Sequence, residues 1–208
     1  MNSDYFNHKA DNWDTTMKLE MADNFIMEMF KSIRFSKDQK VLDFGCGTGL
    51  VGLRVASLVK SVVFMDISKS MLDVLNSKIE SDNHLNIKHK TTVINGGIEK
   101  YTTPDIDIIF SLMALHHIED TQAIFEHIST ILKPGGLLVI GDLKEEDGSF
   151  HADERVPHNG FNIDTLARQV ENSEMEIILS DTYNTISKNE KKYDQFILIA
   201  RNLKTKHN

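Results

Sequence analysis

The order of apolar and polar positions divides the chain into alternating strands and helices. Over residues 39–142, short apolar runs such as 62–65 and 137–140 alternate with stretches in which apolar residues have helical spacing. Near-continuous apolar runs are typical of parallel strands that are buried on both faces of a sheet. Strands that alternate with helices at short intervals indicate a doubly wound, mainly parallel α/β domain.

The two ends of the chain depart from this alternation. Apolar residues at helical spacing over residues 17–33 predict an N-terminal helix that Asp14 or Thr16 caps. Near the C-terminus, two long strand-like runs meet across residues 187–192 (SKNEKK) with no helix between them. This pattern predicts an antiparallel hairpin that closes one edge of the sheet.

Composition narrows the classes of partner. The 208 residues are 40% hydrophobic and 26% charged, a balance that is ordinary for a globular domain. With 23 basic against 31 acidic residues, the net charge of −8 argues against a nucleic-acid partner, because phosphates are bound mainly by Lys and Arg. No apolar run is long enough for a membrane helix, and the polar N-terminus lacks the apolar core of a signal peptide. With Cys46 as its one cysteine, the chain is expected to be cytoplasmic and not associated with a membrane.

The stretch VLDFGCGTGLVGL, residues 41–53, is the strongest sign of a binding site. It follows the first predicted strand, where ligands of doubly wound sheets bind. Glycines allow positive φ and have no Cβ that would hold a ligand away from the backbone. Asp66 ends the second predicted strand, where its carboxylate can accept hydrogen bonds from two ribose hydroxyls.

Two classes of cofactor fit this loop. Residues 47–52 match the G-x-G-x-x-G pattern of dinucleotide-binding proteins, and Asp66 lies 19 residues beyond Gly47, near the expected offset. However, Asp43 stands two residues before Gly45, where a carboxylate would repel a pyrophosphate. The same carboxylate suits a cationic ligand such as the ammonium group of an amino acid.

Four segments, taken together, resemble the class I S-adenosylmethionine-dependent methyltransferases. VLDFGCGTGLVGL is similar to the first motif of that family, VVFMDISKSML to the second, DIDIIFSLMALHHIED to the segment around the fourth strand, and ILKPGGLLVIGDL to the fifth-strand segment. They occur in the order of the family and cover roughly residues 38–143. The resemblance implies a Rossmann-like sheet of seven strands with an antiparallel last strand. It also implies a single domain over residues 1–208: an N-terminal helical extension (1–36), a cofactor-binding core (37–143), and a substrate-side loop, helix and hairpin (144–208).

The resemblance also assigns the cofactor, S-adenosylmethionine, to particular residues. Asp43 is expected to hold the methionine ammonium, Asp66 the ribose hydroxyls, and Ile67 one face of the adenine. Gly97 stands where the family often has an aspartate, so adenine recognition is expected to depend on the backbone there or on Asn95. The full predicted set of cofactor-binding residues is Trp13, Asp43, Gly45, Cys46, Gly47, Gly49, Asp66, Ile67, Met71, Gly97, Ile98 and Ser111.

The predicted catalytic residues are histidines, because imidazole titrates near neutral pH and can accept a proton from the methyl acceptor. His116 and His117 follow the fourth predicted strand, and His158 lies in a polar loop before a later helix. The irregular spacing of His151, Glu145, Glu146 and Asp153 around that loop leads us to expect no metal site.

A small molecule is the expected acceptor. The fourth-strand segment reads SLMALHH, without the Pro-Pro motif of nucleic-acid-base methyltransferases, and one cysteine is too few for an arsenic methyltransferase. Two alternatives stay open: a nicotinamide-dependent oxidoreductase, and a non-catalytic protein that binds S-adenosylmethionine. Tyr5, Phe6 and Trp13, aromatic residues in a polar leader, either pack on the outside of the domain or form a lid over the cofactor. The oligomeric state is not predicted.

Overall fold

The computed structural model describes residues 6, 8–82, 87–152 and 154–205. Within these residues, seven strands form one sheet in the order β3-β2-β1-β4-β5-β7-β6. The strands are β1 (Lys40–Phe44), β2 (Ser61–Asp66), β3 (Thr91–Asn95), β4 (Ile106–Leu112), β5 (Leu132–Leu143), β6 (Met175–Lys188) and β7 (Lys191–Asn202). The pairs among β1 to β5 are parallel, whereas β7 is antiparallel to both of its neighbours. This arrangement confirms the predicted fold class.

The helices between the strands follow the predicted alternation. They are α1 (Thr16–Ser32), α2 (Gly52–Ala56), α3 (Lys69–Ser81), α4 (Thr121–Ile131) and α5 (Ile163–Asn172). The cap of α1 differs from the prediction: the side chain of Thr15, not of Asp14 or Thr16, accepts the hydrogen bond from the Lys18 backbone N–H. A cap residue must have extended backbone angles, and Thr15 has them, with φ −73° and ψ 157°.

Helices cover both faces of the sheet. Apolar residues of α1, α2 and α3 pack on one face together with Val41, Phe64 and Phe110. Residues of α4 and α5 pack on the other face with Leu42 and Ile109. Because neighbouring residues of a buried strand face opposite sides, both sides of β1 and β4 must be apolar, as the sequence pattern indicated.

The C-terminal hairpin has a two-residue turn. Asn189 and Glu190, between β6 and β7, have positive φ values of 51° and 63°. Two successive residues with positive φ are typical of a type I′ turn, whose twist suits two adjacent antiparallel strands. The turn allows β7 to insert between β5 and β6. Among the described residues, no helix combines the length and apolar character needed to span a bilayer.

Candidate active site

A cavity of about 350 Å³ opens at the carboxyl ends of the central strands, beneath the N-terminal segment. This is the edge at which doubly wound sheets bind ligands. Ten of the predicted site residues line the cavity: Trp13, Asp43, Gly45, Cys46, Gly47, Asp66, Ile67, Met71, His116 and His117. The sequence pattern and the fold therefore indicate the same region.

The other five predicted residues do not line this cavity. They are Gly49, Gly97, Ile98, Ser111 and His158. A Cβ on Gly49 would lie 2.5 Å from Leu75 of α3, so this glycine allows close packing between loop and helix. Gly96, rather than Gly97, faces the cavity. The ring of His158 lies 2.9 Å from the Ile118 carbonyl oxygen through Nε2. The roles of these five residues stay predictions.

The glycine loop is held against the end of β2. The backbone N–H groups of Gly45 and Cys46 both donate to the Met65 carbonyl oxygen, at 2.8 and 3.0 Å. Gly45 and Gly47 have φ values of +69° and +51°, in the region that L residues rarely adopt. Around a Cβ on Gly47, the nearest atom is Nε1 of Trp13 at 3.5 Å. The loop thus leaves open backbone surface beneath the indole ring.

Two aspartates give this half of the cavity its acidic character. Asp43 is 3% exposed and accepts a hydrogen bond from the Gly52 N–H at 2.9 Å. Burial, reinforced by the charge of Asp66, raises the pKa of Asp43 to about 8. Asp66 accepts from the N–H groups of Gly47 and Ser68, both at 2.8 Å, and burial raises its pKa against these hydrogen bonds. A cationic ligand would relieve the desolvation of both carboxylates.

The N-terminal segment is tied to the glycine loop. The Asp14 carboxylate accepts hydrogen bonds from Thr48 Oγ1 at 2.5 Å and from Lys78 Nζ at 2.6 Å. Lys78 also donates to the carbonyl oxygen of Thr48 at 2.9 Å. These contacts hold Trp13, the neighbour of Asp14, over Gly47. Phe6 continues the cover, with its ring centroid 5.8 Å from that of Trp13, whereas Tyr5, predicted in the same role, lies outside the described residues.

A buried aspartate holds one histidine of the cavity wall in place. His116 belongs to a short 3₁₀ helix after β4, and Asp142 lies near the end of β5. The Nδ1 atom of His116 lies 2.7 Å from Asp142 Oδ1, and the two side chains are 1% and 0% exposed. The aspartate also accepts from the backbone N–H groups of His116 and Leu143, at 3.2 and 2.8 Å. With Nδ1–H donating to the carboxylate, Nε2 of His116 carries a free electron pair, and it has no hydrogen-bond partner among the described residues.

Positive charge enters the cavity from elements that are distant in sequence. Lys9, Lys18 and Lys188 all line it. Burial, together with the charge of Lys9, lowers the pKa of Lys18 to about 8. The Nζ atom of Lys18 lies 2.9 Å from the centroid of the Trp13 ring. The cavity is therefore lined by both acidic and basic side chains.

The predicted set of site residues leaves out several residues found here. Lys188 lines the cavity from the end of β6, where no local motif marks it. His151 lines it from the loop after β5, and the sequence analysis weighed this histidine only as a metal ligand. Asp142 carried a signal, because it is a lone acidic residue at the end of an apolar strand, as Asp43 and Asp66 are. Its partner could not be predicted, because 26 residues separate it from His116.

Comparisons with known proteins show that the sequence is similar to methyltransferases. Residues 41–136 match the model of a family described as "Methyltransferase domain". An uncharacterized methyltransferase of Schizosaccharomyces pombe is 34% identical over 117 residues, which are 53% of this chain and 41% of that protein. The malonyl-[acyl-carrier protein] O-methyltransferase 2 of Ilyobacter polytropus is 27% identical over 163 residues, which are 73% of this chain and 57% of that protein. The chain thus spans about half the length of these curated relatives.

Solved structures show the same architecture. A SAM-dependent methyltransferase from Aquifex aeolicus superposes with a TM-score of 0.70, over 94% of this chain and 98% of that one. Its sequence identity is 19%, so this likeness concerns the fold alone. The ordered motifs, the family match over residues 41–136 and this shared fold all make the chain similar to the class I S-adenosylmethionine-dependent methyltransferases.

Proposed function

We propose that this protein transfers the methyl group of S-adenosylmethionine to a hydroxyl oxygen of a small molecule, with His116 as the general base. The observation that carries the proposal is the buried His116–Asp142 pair: His116 lines the cofactor cavity, and its Nε2 has no hydrogen-bond partner among the described residues. A histidine that is held by a carboxylate at one nitrogen presents a fixed electron pair at the other.

The chain's own residues fit the cofactor. The open backbone at Gly47 is a surface that a Cβ would fill, and Asp43 and Asp66 supply carboxyl groups beside it that a bound cation would keep ionised. We assign the methionine ammonium to Asp43 and the ribose hydroxyls to Asp66. Bound S-adenosylmethionine supplies an activated methyl group on a positively charged sulfur. Trp13 and Phe6 would exclude water from it, which is the lid role proposed for the N-terminal extension.

His116 acts on the acceptor. Its Nε2 takes the hydroxyl proton as the acceptor oxygen attacks the methyl carbon, and Asp142 stabilises the imidazolium cation that forms. Positioned proton transfer of this kind contributes about 10²–10⁴-fold to a rate. A hydroxyl acceptor needs such a base at neutral pH, whereas an ionised carboxylate does not.

The charges favour an acceptor with an anionic substituent. Lys18 lines the cavity, and it is partly desolvated, which strengthens its attraction for an anion. The Ilyobacter polytropus relative is named as an O-methyltransferase, which agrees with oxygen as the acceptor atom. We therefore propose an acidic phenol, such as 3,4-dihydroxybenzoate, as the acceptor class.

The test measures S-adenosylhomocysteine formed from S-adenosylmethionine with 3,4-dihydroxybenzoate, catechol or a malonyl thioester. We expect turnover with the first two and a lower KM for 3,4-dihydroxybenzoate, an advantage that Lys18→Met removes. His116→Gln should lower kcat at least about 100-fold. Its affinity for S-adenosylhomocysteine, measured by calorimetry, should stay within about twofold of the wild type.

His89→Gln is the matched control, because it changes an exposed imidazole far from the cavity and should leave both values unchanged. Methylation of the malonyl thioester alone, with no effect of His116→Gln, would contradict the base. Binding of S-adenosylhomocysteine without turnover on any acceptor would favour the non-catalytic alternative. Binding of NADH in its place would favour the oxidoreductase. The three-part division of the chain, the cytoplasmic location and the lack of a nucleic-acid partner stay predictions.

A further inference from the structure

Three histidines meet in the wall of the cavity. His116 and His117 come from the 3₁₀ helix after β4, and His151 comes from the loop after β5. The ring centroid of His116 lies 4.1 Å from that of His117 and 4.5 Å from that of His151. One ring nitrogen from each residue can be chosen so that all three lie within 4.8 Å of one another.

We propose that His116, His117 and His151 bind one divalent transition-metal ion of the Zn²⁺ type, with an open coordination position toward the cavity. Three imidazoles with one open position are a common ligand set of catalytic zinc sites. The proposal goes beyond methyl transfer, because binding of the ion needs neither the cofactor nor the acceptor.

Two unpaired nitrogens support a ligand at this place. Nε2 of His116 and Nδ1 of His151 are buried and lack hydrogen-bond partners among the residues that the structure describes. Leaving a buried polar atom unpaired is costly, so most such atoms have a protein, water or ion partner. An ion would accept an electron pair from both.

The surroundings of His116 are those of a metal ligand. Metal-binding histidines usually donate their second ring N–H to a carboxylate, which fixes the tautomer and the orientation of the ring. Nδ1 of His116 lies 2.7 Å from Asp142 Oδ1 in this arrangement. The carboxylate of Glu154 lies 3.6 Å from His117 Nδ1 and adds negative charge beside the cluster.

Binding of the ion would draw the three ligand nitrogens closer together than the 4.8 Å within which they now lie. With zinc–nitrogen bonds of about 2.0–2.1 Å, two ligand nitrogens of a tetrahedral site lie about 3.4 Å apart. The rings would therefore rotate so that their ligand nitrogens move together by about an ångström.

Occupation of the site would alter the proposed chemistry. An ion on Nε2 of His116 takes up the electron pair that the proposed base uses. Metal binding and direct proton acceptance by this nitrogen therefore exclude each other, and the metal content of the protein would decide which of the two chemistries the cavity carries out.

The test titrates chelator-treated full-length protein with Zn²⁺ in competition with a chromophoric chelator. We expect one ion per chain and, with Co²⁺ in place of Zn²⁺, the visible absorption of a four-coordinate ion. His151→Ala should weaken Zn²⁺ binding at least about tenfold, and Asp142→Asn should weaken it about 10–100-fold. Mg²⁺ should not compete, because it prefers oxygen ligands.

His89→Ala is the matched control, since it removes an exposed histidine outside the cluster and should leave the affinity unchanged. The proposal would be overturned if the wild type and His151→Ala bound Zn²⁺ with equal affinity, while circular dichroism showed that both proteins are folded. The absence of stoichiometric Zn²⁺ binding would also overturn it. Calorimetry with S-adenosylhomocysteine on the same samples tests the cofactor site separately, so failure of one proposal can be told from failure of the other.

Discussion

Three glycines with positive φ separate the cost of backbone strain from the cost of blocking the cofactor. Gly45, Gly47 and Gly135 have φ values of +69°, +51° and +75°. An L residue in this region costs roughly 1–2 kcal/mol. A Cβ on Gly135 would meet no atom within 4 Å, so Gly135→Ala measures this strain alone.

The surroundings of the other two glycines predict how their alanine variants will differ. On Gly47, the nearest atom to an added Cβ is Trp13 Nε1 at 3.5 Å, which is an ordinary contact, so Gly47→Ala should lose about as much stability as Gly135→Ala. On Gly45, the Cβ would lie 2.4 Å from the Cβ of Ala114. Overpacking typically costs another 1–3 kcal/mol or so, and Gly45→Ala should therefore be the least stable of the three.

Cofactor binding should follow a different order from stability. Gly47→Ala places a methyl group on the backbone surface assigned to the cofactor and should weaken S-adenosylhomocysteine binding at least about tenfold, or about 1.4 kcal/mol. Gly135→Ala should leave the affinity unchanged. Urea unfolding gives the stabilities and calorimetry the affinities. If Gly47→Ala binds S-adenosylhomocysteine as tightly as Gly135→Ala does, the cofactor does not lie on this loop.

Three further predictions concern the acids and the cover. Folding raises the pKa of Asp43 from 3.8 to about 8, so between about pH 4 and pH 8 the folded chain keeps a proton that the unfolded chain loses. The free energy of unfolding should therefore fall as pH rises through this range. Urea unfolding midpoints measured against pH should fall less steeply for Asp43→Asn than for the wild type. Asp66→Ala should weaken S-adenosylhomocysteine binding at least about tenfold in calorimetry, since it removes the charge-assisted hydrogen bonds assigned to the ribose; unchanged affinity would refute that role. S-adenosylhomocysteine should change the fluorescence emission of Trp13, the only tryptophan. Asp14→Ala should weaken the binding of S-adenosylhomocysteine, because it frees the N-terminal segment from Thr48 and Lys78. If neither the emission nor the affinity changes, the segment only packs on the domain and is not a lid.

The fold could be predicted where the deciding interactions are local. The apolar runs of β1 and β2, the glycines between β1 and α2, and Asp66 at the strand end all lie in one continuous stretch. Burial of both sheet faces leaves such a stretch few other conformations. The hairpin could be predicted equally well, because two strand-like runs with only six residues between them are expected to pair with each other.

The site was less predictable where chain-distant residues meet. His151 joins His116 only after β5 has been placed beside β4, and the 34 residues between them contain no motif that marks the pair. A sequence pattern also cannot fix a position to within one residue. Thr15 caps α1 where Asp14 or Thr16 was predicted, and Gly96 lines the cavity where Gly97 was predicted. Backbone angles, rather than residue types, decide which of two neighbouring residues takes such a position.

The two aspartates of the cavity, and Asp142 behind His116, have a common structural origin. Each stands at or near the carboxyl end of a parallel strand, where the chain turns toward the next helix and backbone N–H groups have no partner within a strand or helix. Asp43 accepts from Gly52, Asp66 from Gly47 and Ser68, and Asp142 from His116 and Leu143. Hydrogen bonds of this kind lower the cost of burying a carboxylate but do not remove it, as the raised pKa values of Asp43 and Asp66 indicate. A side-chain or ligand partner can offset the remaining cost.

At Asp142 the chain provides such a partner itself, because Nδ1 of His116 lies 2.7 Å from Asp142 Oδ1. At Asp43 and Asp66 the proposed partner is the positively charged cofactor, whose binding would stabilise both carboxylates in the ionised form. Carboxyl groups at one sheet edge can thus have different partners, a side chain of the protein in one case and a bound cation in the other.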